Sequence, residues 1–337
     1  MFCSAIIPTI NRPTLSRSVL SVLNQECSAG QLEVIVVNDS GYDLPEMDWQ
    51  RSSQVRIITT QRHERSVARN AGAAIAHGAY LYFLDDDDIM LPGAMQAFGE
   101  LAQASDAAWL YGNYQIADND GKLLEIFHPN MAGNISAFLI AGEGIPLQAS
   151  LIRPKEFYRA GEFDPYFTGA QDRDLGRRLS LVAEVAKTEA VITQIRVGQM
   201  GSTTLWEMLP FFDRLGREKA LNRPGAFSRL WASAKGSGFL HGRVSRAYLA
   251  SAAWNIEHRR FIDAADRLIS MTLFGALFVL SPEFWAGLRT RVQRLGELKR
   301  GKAPSGNYLF PMALVIFAMT VLLFLIHNHF HLMMTPR

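Results

Sequence analysis

Short apolar runs alternate with amphipathic stretches through the first third of the chain. Ser4 to Pro8 and Leu32 to Val37 are apolar runs of strand length, and the second ends in the turn cluster Asn38-Asp39-Ser40-Gly41. Val55 to Thr59 and Ala79 to Leu84 repeat the β-branched or aromatic strand signal. Between them, Thr14 to Asn24 places Leu15, Val19, Val22 and Leu23 on one helical face. Ser66 to His77 is an alanine-rich helix pattern that stops at Gly78, the expected C-cap. Pro92 to Ala104 predicts a helix and Ala107 to Tyr111 a strand. This alternation predicts an α/β fold: a mostly parallel sheet with helices on both faces.

The pattern loosens beyond residue 112. Gln115 to Glu125 predicts a hairpin around Asp118-Asn-Asp-Gly121, and Ala149 to Ile152 a short strand. Glu156 to Ala160 and Asp172 to Leu181 predict helices, and Ala190 to Ile195 a strand. Residues 203 to 300 are mostly of helical pattern, without a repeat of fixed period. The expected organisation is an α/β domain over 1–200, a helical region over 201–300 and a linker over 301–308. A transmembrane helix over 309–327 and a short tail over 328–337 follow.

That last helix rests on Leu309 to Ile326, 18 residues without a charge, close to the length that spans a bilayer. Arg289, Arg291, Arg294, Lys299, Arg300 and Lys302 precede it, which predicts a cytoplasmic amino-terminal side. With no signal peptide pattern at the start, the expectation is a cytoplasmic α/β domain on a single C-terminal anchor in the cytoplasmic membrane. A buried helix packed on the protein is the alternative. Ile269 to Leu280 is a second apolar stretch, too short to span, that docks on the protein or lies in the membrane interface.

Hydrophobic residues make up 48% of the 337, enough for a sizeable core. The formal net charge of +2 gives no basic field, so no nucleic-acid partner is expected. Two cysteines, Cys3 and Cys27, do not make a disulfide scaffold, and no Cys/His zinc pattern is present.

The chemistry concentrates in Asp85 to Asp88, four aspartates directly after the strand at 79–84. Adjacent carboxylates repel, which favours protonation of one or recruitment of a cation. Hard divalent ions such as Mn²⁺ or Mg²⁺ take oxygen ligands, and ligands of open α/β sheets bind beyond the carboxyl ends of strands. A metal-assisted phosphate site satisfies both requirements. A solvated acidic turn capping the following helix is the plainer reading.

Five motifs, in order, resemble glycosyltransferase family 2. They are Ala5-Ile-Ile-Pro-Thr-Ile-Asn-Arg-Pro13, Glu33-Val-Ile-Val-Val-Asn-Asp-Ser-Gly41 and Val67-Ala-Arg-Asn-Ala-Gly72. Phe83-Leu-Asp-Asp-Asp-Asp-Ile-Met-Leu-Pro92 follows, then Gly161-Glu-Phe-Asp164 with Gln171-Asp-Arg-Asp-Leu175. The resemblance covers roughly residues 3 to 200. It implies a GT-A nucleotide-diphospho-sugar transferase fold and inverting transfer from a nucleotide sugar. A UDP-sugar is the first expectation, and the acceptor is a polysaccharide, lipid-linked or other cell-surface glycan.

Donor contacts are expected from Pro8, Thr9, Asp39, Arg65, Arg69, Asp85 and Asp86. Asp39 follows a strand and can accept from a pyrimidine N3–H, although an Asx-turn explains it as well. Arg65 and Arg69 suit phosphate or an aspartate partner. D-x-D spacing makes Asp87 the expected metal ligand, with Asp85 and Asp87 on one side if the chain stays extended. Asp172 stands at the family's base position, with Asp174 second; on spacing alone Asp172 also suits helix N-capping. Gln171 replaces the glutamate of many relatives. Gly142 to Ile145 reads as an acceptor-facing loop, and Trp109, Tyr111 and Tyr166 as residues that stack on sugars or pack in the core. A non-catalytic nucleotide-sugar-binding scaffold and a metal-dependent phosphohydrolase or nucleotidyltransferase are the competing functions.

Overall fold

A computed structural model of the chain describes residues 1–61, 64–197 and 208–299. The described part forms two compact units, Met1–Ser233 and a helical unit from Ala234 onward. The sequence boundary expected near 200 lies among residues 198–207, outside the described residues, as does the expected anchor at 309–327.

The first unit begins β1 (Cys3–Thr9), α1 (Leu15–Leu23), β2 (Leu32–Asn38), β3 (Val55–Thr59), α2 (Arg65–Ala74) and β4 (Tyr80–Phe83). It continues with β5 (Ile89–Met90), α3 (Ala94–Ala104), the hairpin β6 (Trp109–Ala117) and β7 (Leu123–Phe127), and α4 (Ser136–Ile140). Next come β8 (Ser150–Ile152), α5 (Pro154–Ala160), α6 (Gln171–Ser180), β9 (Val185–Arg196), α7 (Leu209–Leu221) and α8 (Ala226–Ala234).

The strands make one sheet in the order β3-β2-β1-β4-β8-β6-β9-β5, with β7 paired to β6. The sheet is mixed, a correction to the mostly parallel one expected from the alternation. β3, β2, β1 and β4 are parallel, and so are β6 and β9. β8 enters antiparallel between β4 and β6, and β5 and β7 add antiparallel edges. Regular strand–helix alternation holds only to residue 104: β7 follows β6 through a hairpin, and α4 and the pair α5–α6 precede β8 and β9, whose pairing the alternation does not set.

Both faces of the parallel half are covered, which explains its unbroken apolar strands. Ala5 and Ile7 of β1 and Val34 and Val36 of β2 face α1 and α3, packing with Leu15, Val19, Met95 and Phe98. Ile6, Ile35 and Val37 point the other way, toward Ala68, Phe157, Leu175 and Leu179. The period-2 alternation of strand side chains divides the core between the two faces.

Two glycines mark close approaches. A Cβ at Gly72 would lie 2.5 Å from Ile6 Cγ2 and 3.1 Å from Val37 Cγ2, so α2 can sit tight on β1 only without a side chain there. Gly78 does not cap α2, which ends at Ala74 with Ile75 as its C-cap. Instead Gly78 N–H donates to Ser4 Oγ at 2.7 Å, and a Cβ at 78 would stand 2.4 Å from Ser4 N. The breaker is there to bring the chain against the start of β1. Both cysteines are free, as expected.

The second unit contains α9 (Gly238–Glu257), α10 (Phe261–Leu280) and α11 (Pro282–Lys299). Among the described residues no single helix is long and apolar enough to cross a membrane. Phe261–Leu280 together with Pro282–Arg291, bent by 71°, has the length and composition of a broken span or re-entrant loop.

Replacing Gly72 with valine forces α2 off β1. We expect Gly72→Val to cost about 1–3 kcal/mol in urea denaturation, while Gly287→Ala, at a site with no neighbour within 4 Å, stays near wild type.

Candidate active site

Parallel pairing points the carboxyl ends of β1, β2 and β4 the same way, with Thr9 opposite Asn38 and Ile6 opposite Phe83. The loops after β1, β2 and β4 therefore converge on one edge of the sheet. They enclose a cavity of about 460 Å³ lined by Pro8, Thr9, Arg12, Asp39, Arg65, Arg69 and Asp85 to Asp88, with Gln148, Ile195 and Arg196 closing it. A neighbouring cavity of about 320 Å³ is lined by Phe83, Leu147 and residues 168 to 173, including Asp172 and Arg173. Arg65, Arg69, Asp85 and Gln148 belong to both walls.

The acidic run does not continue the strand. Leu84 N–H still donates to Ile6 O at 3.1 Å, but Asp88 N–H then donates back to Asp85 O at 3.1 Å, closing a turn. Strand alternation ends there, and the turn sets where each carboxylate goes. Asp86 turns inward, accepting from Thr9 Oγ1 at 2.6 Å and Arg12 Nη1 at 2.9 Å. Asp87 accepts from the same Arg12 nitrogen at 2.7 Å. Asp85 accepts from Arg69 Nη2 and, at 3.1 Å, from Gln148 Nε2. Asp88 accepts from Arg196 N–H at 2.8 Å. The turn backbone is pinned as well: Arg17 Nη2 donates to Asp87 O at 2.9 Å and Ser18 Oγ to Asp88 O at 2.6 Å.

Oxygens of Asp85, Asp87 and Asp88 lie within 4.8 Å of one another. These three could hold a divalent cation, whose preference for carboxylate oxygen they match. Asp88 received no role from the sequence, yet it completes the group, while Asp86 is committed to Thr9 and Arg12.

The proton affinities follow from this packing. Burial, then the neighbouring Asp85 charge, pushes the Asp87 carboxyl up to about 6. Burial also raises Asp86, and raises Asp88 well above the usual carboxylate range. Burial acts to raise Asp85 too, but the adjacent Arg69 guanidinium outweighs it and holds this carboxyl below its ordinary value.

Other predicted residues are distributed around the two cavities. Asp39, buried at 3% exposure, accepts from Thr60 Oγ1 at 2.7 Å and from Glu64 N–H at 2.6 Å. Glu64 in turn caps α2 through Ser66 N–H and Val67 N–H. The Asp39 carboxylate thus ties the loop after β2 to the start of the helix that carries Arg65 and Arg69. Arg69 is 5% exposed and stands over the Phe163 ring at 5.2 Å. Its Nε and Nη1 have no hydrogen-bond partner among the described residues, an expensive state for a buried cation that an anion would relieve.

Asp172 is exposed at the start of α6 and accepts from Arg173 N–H at 2.8 Å. Ala170, the residue before the helix, has φ 56°, a left-handed conformation that costs an alanine about 1–2 kcal/mol. Asp174 lines neither cavity. It is 1% exposed, accepts from Arg178 Nε at 3.0 Å and lies 3.6 Å from Lys219 Nζ. Trp109 and Tyr111 are fully buried core residues, and Tyr166 is 65% exposed. Residues 143 to 145 line neither cavity.

Sequence reasoning left Arg12, Gln148 and Arg173 without roles. Arg12 carried a signal, since a cation directly after the first strand is available to balance the acidic run. Gln148 carried none.

The chain resembles known proteins in sequence and in fold. Residues 4–139 match the family described as Glycosyl transferase family 2. An uncharacterized glycosyltransferase of Rickettsia conorii is 26% identical over 249 residues, 71% of this chain and 38% of that protein. The Escherichia coli UDP-Glc:alpha-D-GlcNAc-diphosphoundecaprenol beta-1,3-glucosyltransferase WfgD is 30% identical over 121 residues, 35% of this chain and 47% of that one. The chain spans less than half the length of these curated relatives. The crystal structure of S. aureus TarS 1-349 in complex with UDP-GlcNAc superposes with a TM-score of 0.57 at 12% identity. That match covers 82% of this chain and 84% of the TarS 1-349 chain, a likeness of fold.

Cation binding should depend on pH with a defined sign. Between about 4 and 6 the folded protein keeps the Asp87 proton while the unfolded chain releases it. In metal-free protein this carboxyl therefore contributes stability that is complete at low pH and is lost as pH rises through about 6. A cation needs the ionised form, so Mn²⁺ should raise Tm more at about pH 7.5 than at about pH 5. Differential scanning fluorimetry with and without Mn²⁺ measures this, and equal shifts at both pH values would separate the cation from Asp87.

Proposed function

We propose, on the premise that residues 4–139 belong to glycosyl transferase family 2, that this chain is a membrane-anchored glycosyltransferase. It transfers a sugar from a nucleotide-sugar donor, a UDP-sugar first, to a hydroxyl of a polysaccharide, lipid-linked or other cell-surface glycan. The observation that carries the reading is the pair of cavities joined by Arg65, Arg69, Asp85 and Gln148. The larger takes the nucleotide diphosphate, with the base toward Asp39 and Pro8. The smaller takes the acceptor, with Asp172 at its wall.

The division of labour follows from charge. The donor's diphosphate gains negative charge as its bond to the sugar breaks. Arg69 meets that charge with buried nitrogens that have no hydrogen-bond partner among the described residues. Mn²⁺ or Mg²⁺ bound by Asp85, Asp87 and Asp88 would supply Lewis-acid neutralisation of the leaving diphosphate. Asp172 takes the proton of the acceptor hydroxyl as its oxygen attacks the anomeric carbon from the side opposite the leaving group, which inverts that centre. Arg173 and the first turn of α6 border the same cavity and hold the acceptor there.

The names of relatives support the acceptor class. WfgD acts on a diphosphoundecaprenol-linked sugar, and S. aureus TarP is a poly(ribitol-phosphate) beta-N-acetylglucosaminyltransferase, 26% identical over 119 residues. The uncharged run at 309–326, with its basic flank, supports an anchor that keeps the catalytic unit at the cytoplasmic face beside such acceptors.

Calorimetric titration tests the donor side: UDP with Mn²⁺ should bind, and Asp87→Ala should remove the metal-dependent part. Asp172→Asn should leave UDP binding intact and lower kcat by about 100-fold or more. Full turnover by Asp172→Asn would remove the base assignment, and no nucleotide binding by folded protein would leave a non-catalytic scaffold.

A further inference from the structure

The second unit carries an apolar surface that its own helices leave uncovered. α10 packs on α9 through Ala264, Arg267, Ser270 and Phe274, with Tyr248 stacked on Phe274 at 5.7 Å and Ser245 Oγ donating to Met271 O at 2.9 Å. The opposite side of α10 is mostly apolar, with exposed Asp266 set among its aliphatic residues. Ile262 is 87% exposed, Ile269 57% and Leu280 72%. Spacings of 7 and 11 residues put these three on one stripe of a 3.6-residue helix. Beyond the bend, Trp285 and Leu288 of α11 extend the exposed apolar set.

Charge decides what this surface meets. Arg289 and Arg291 are exposed beside Trp285 and Leu288. Between 289 and 302 the sequence has six basic residues against one acid, Glu297. Of the two acids on α10, Asp266 is paired with Arg267 at 2.7 Å and Asp263 lies in the first turn, where the helix dipole favours it. Exposed aliphatic residues and a tryptophan bordered by arginines match an anionic lipid surface, where apolar groups enter the acyl boundary and cations stay with the headgroups. The chain beyond α11 favours the same occupant. Lys299 and Leu309 are ten residues apart, so the apolar run at 309–326 begins within about 35 Å of the end of α11.

We infer that the outer stripe of α10 and the start of α11 lie in the headgroup region of an anionic membrane as a second contact, distinct from the anchor. The tether distance rests on the anchor reading; the stripe and its charge do not. Two contacts fix the orientation of this unit on the bilayer, whereas a single span leaves it free to swivel.

Two measurements on the full-length chain separate the contacts. In the first, the anchor is broken by Ile316→Arg with Leu322→Arg, and binding to vesicles of phosphatidylcholine with or without phosphatidylglycerol is followed by flotation. If the inference holds, this variant still binds the anionic vesicles and not the neutral ones, and adding Arg289→Gln with Arg291→Gln lowers its partition by about an order of magnitude. Loss of binding to both vesicle types overturns the inference and leaves the anchor standing. Unchanged binding to both vesicle types fails the anchor reading and the need for anionic lipid alike.

In the second, an environment-sensitive fluorophore is attached at Ile269→Cys or Leu280→Cys in a Cys27→Ser background, with Asp48→Cys as the solvent control. Shallow nitroxide lipids should quench positions 269 and 280 but not 48. Quenching of 280 by nitroxides at the bilayer centre would replace the interfacial contact with a re-entrant one. Quenching no stronger than at 48 would refute lipid contact by this face.

Discussion

Four neighbouring carboxylates cannot be packed into one turn unless each finds its own compensation, and much of the first unit supplies it. Arg12 comes from the loop after β1, Arg69 from α2, Gln148 from the segment before β8 and the Arg196 amide from the end of β9. Strands far apart in the sheet order thus meet at one turn. Removing any of these partners leaves a buried charge more exposed to its neighbours' repulsion, a penalty that normally exceeds the modest value of an intact pair. The same compensation is incomplete by design of the residues: Asp87 and Asp88 hold their protons more tightly than ordinary carboxylates, so the turn retains appetite for positive charge.

The helix that carries Asp172 is held by a further set of ion pairs. Arg177 of α6 donates to Asp213 of α7 at 2.6 Å, and Arg217 reaches the same carboxylate at 3.0 Å. Arg178, fully buried, bridges Asp174 to the carbonyl of Glu162 at 2.8 Å. The first turn of α6 thereby presents Asp172 to the cavity while the next turn is locked in the protein. The left-handed Ala170 sits at the join between the two regions, where the backbone must redirect into the helix.

Much of this was legible in the residues, for reasons that differ by region. β1, β2 and β4 are buried on both faces, and continuous apolar runs announce that directly. α1 declared itself by periodicity and α2 by its alanine-rich run. β5, two residues long, and α4, five, are too short for any periodic signal, and the antiparallel insertion of β8 depends on contacts remote in sequence. Asp85 and Asp87 were expected on one side for a reason that failed: the chain turns at Asp85, and a turn, not strand alternation, brings them together with Asp88. The C-cap expected at Gly78 failed similarly, because a glycine required for close approach to Ser4 resembles one required for a left-handed φ. Gln148 was invisible because its position opposite Asp85 is set by the β4–β8 pairing and by nothing in its neighbours.

The wall shared by the two cavities has a consequence for binding. Arg69 and Gln148 grip the same carboxylate, Asp85, from opposite sides, so a ligand that draws either one away alters the electrostatics of both chambers. Two ligands using these cavities would not add their binding free energies independently. Occupancy of either cavity would change the affinity of the other, and by the same factor in both directions.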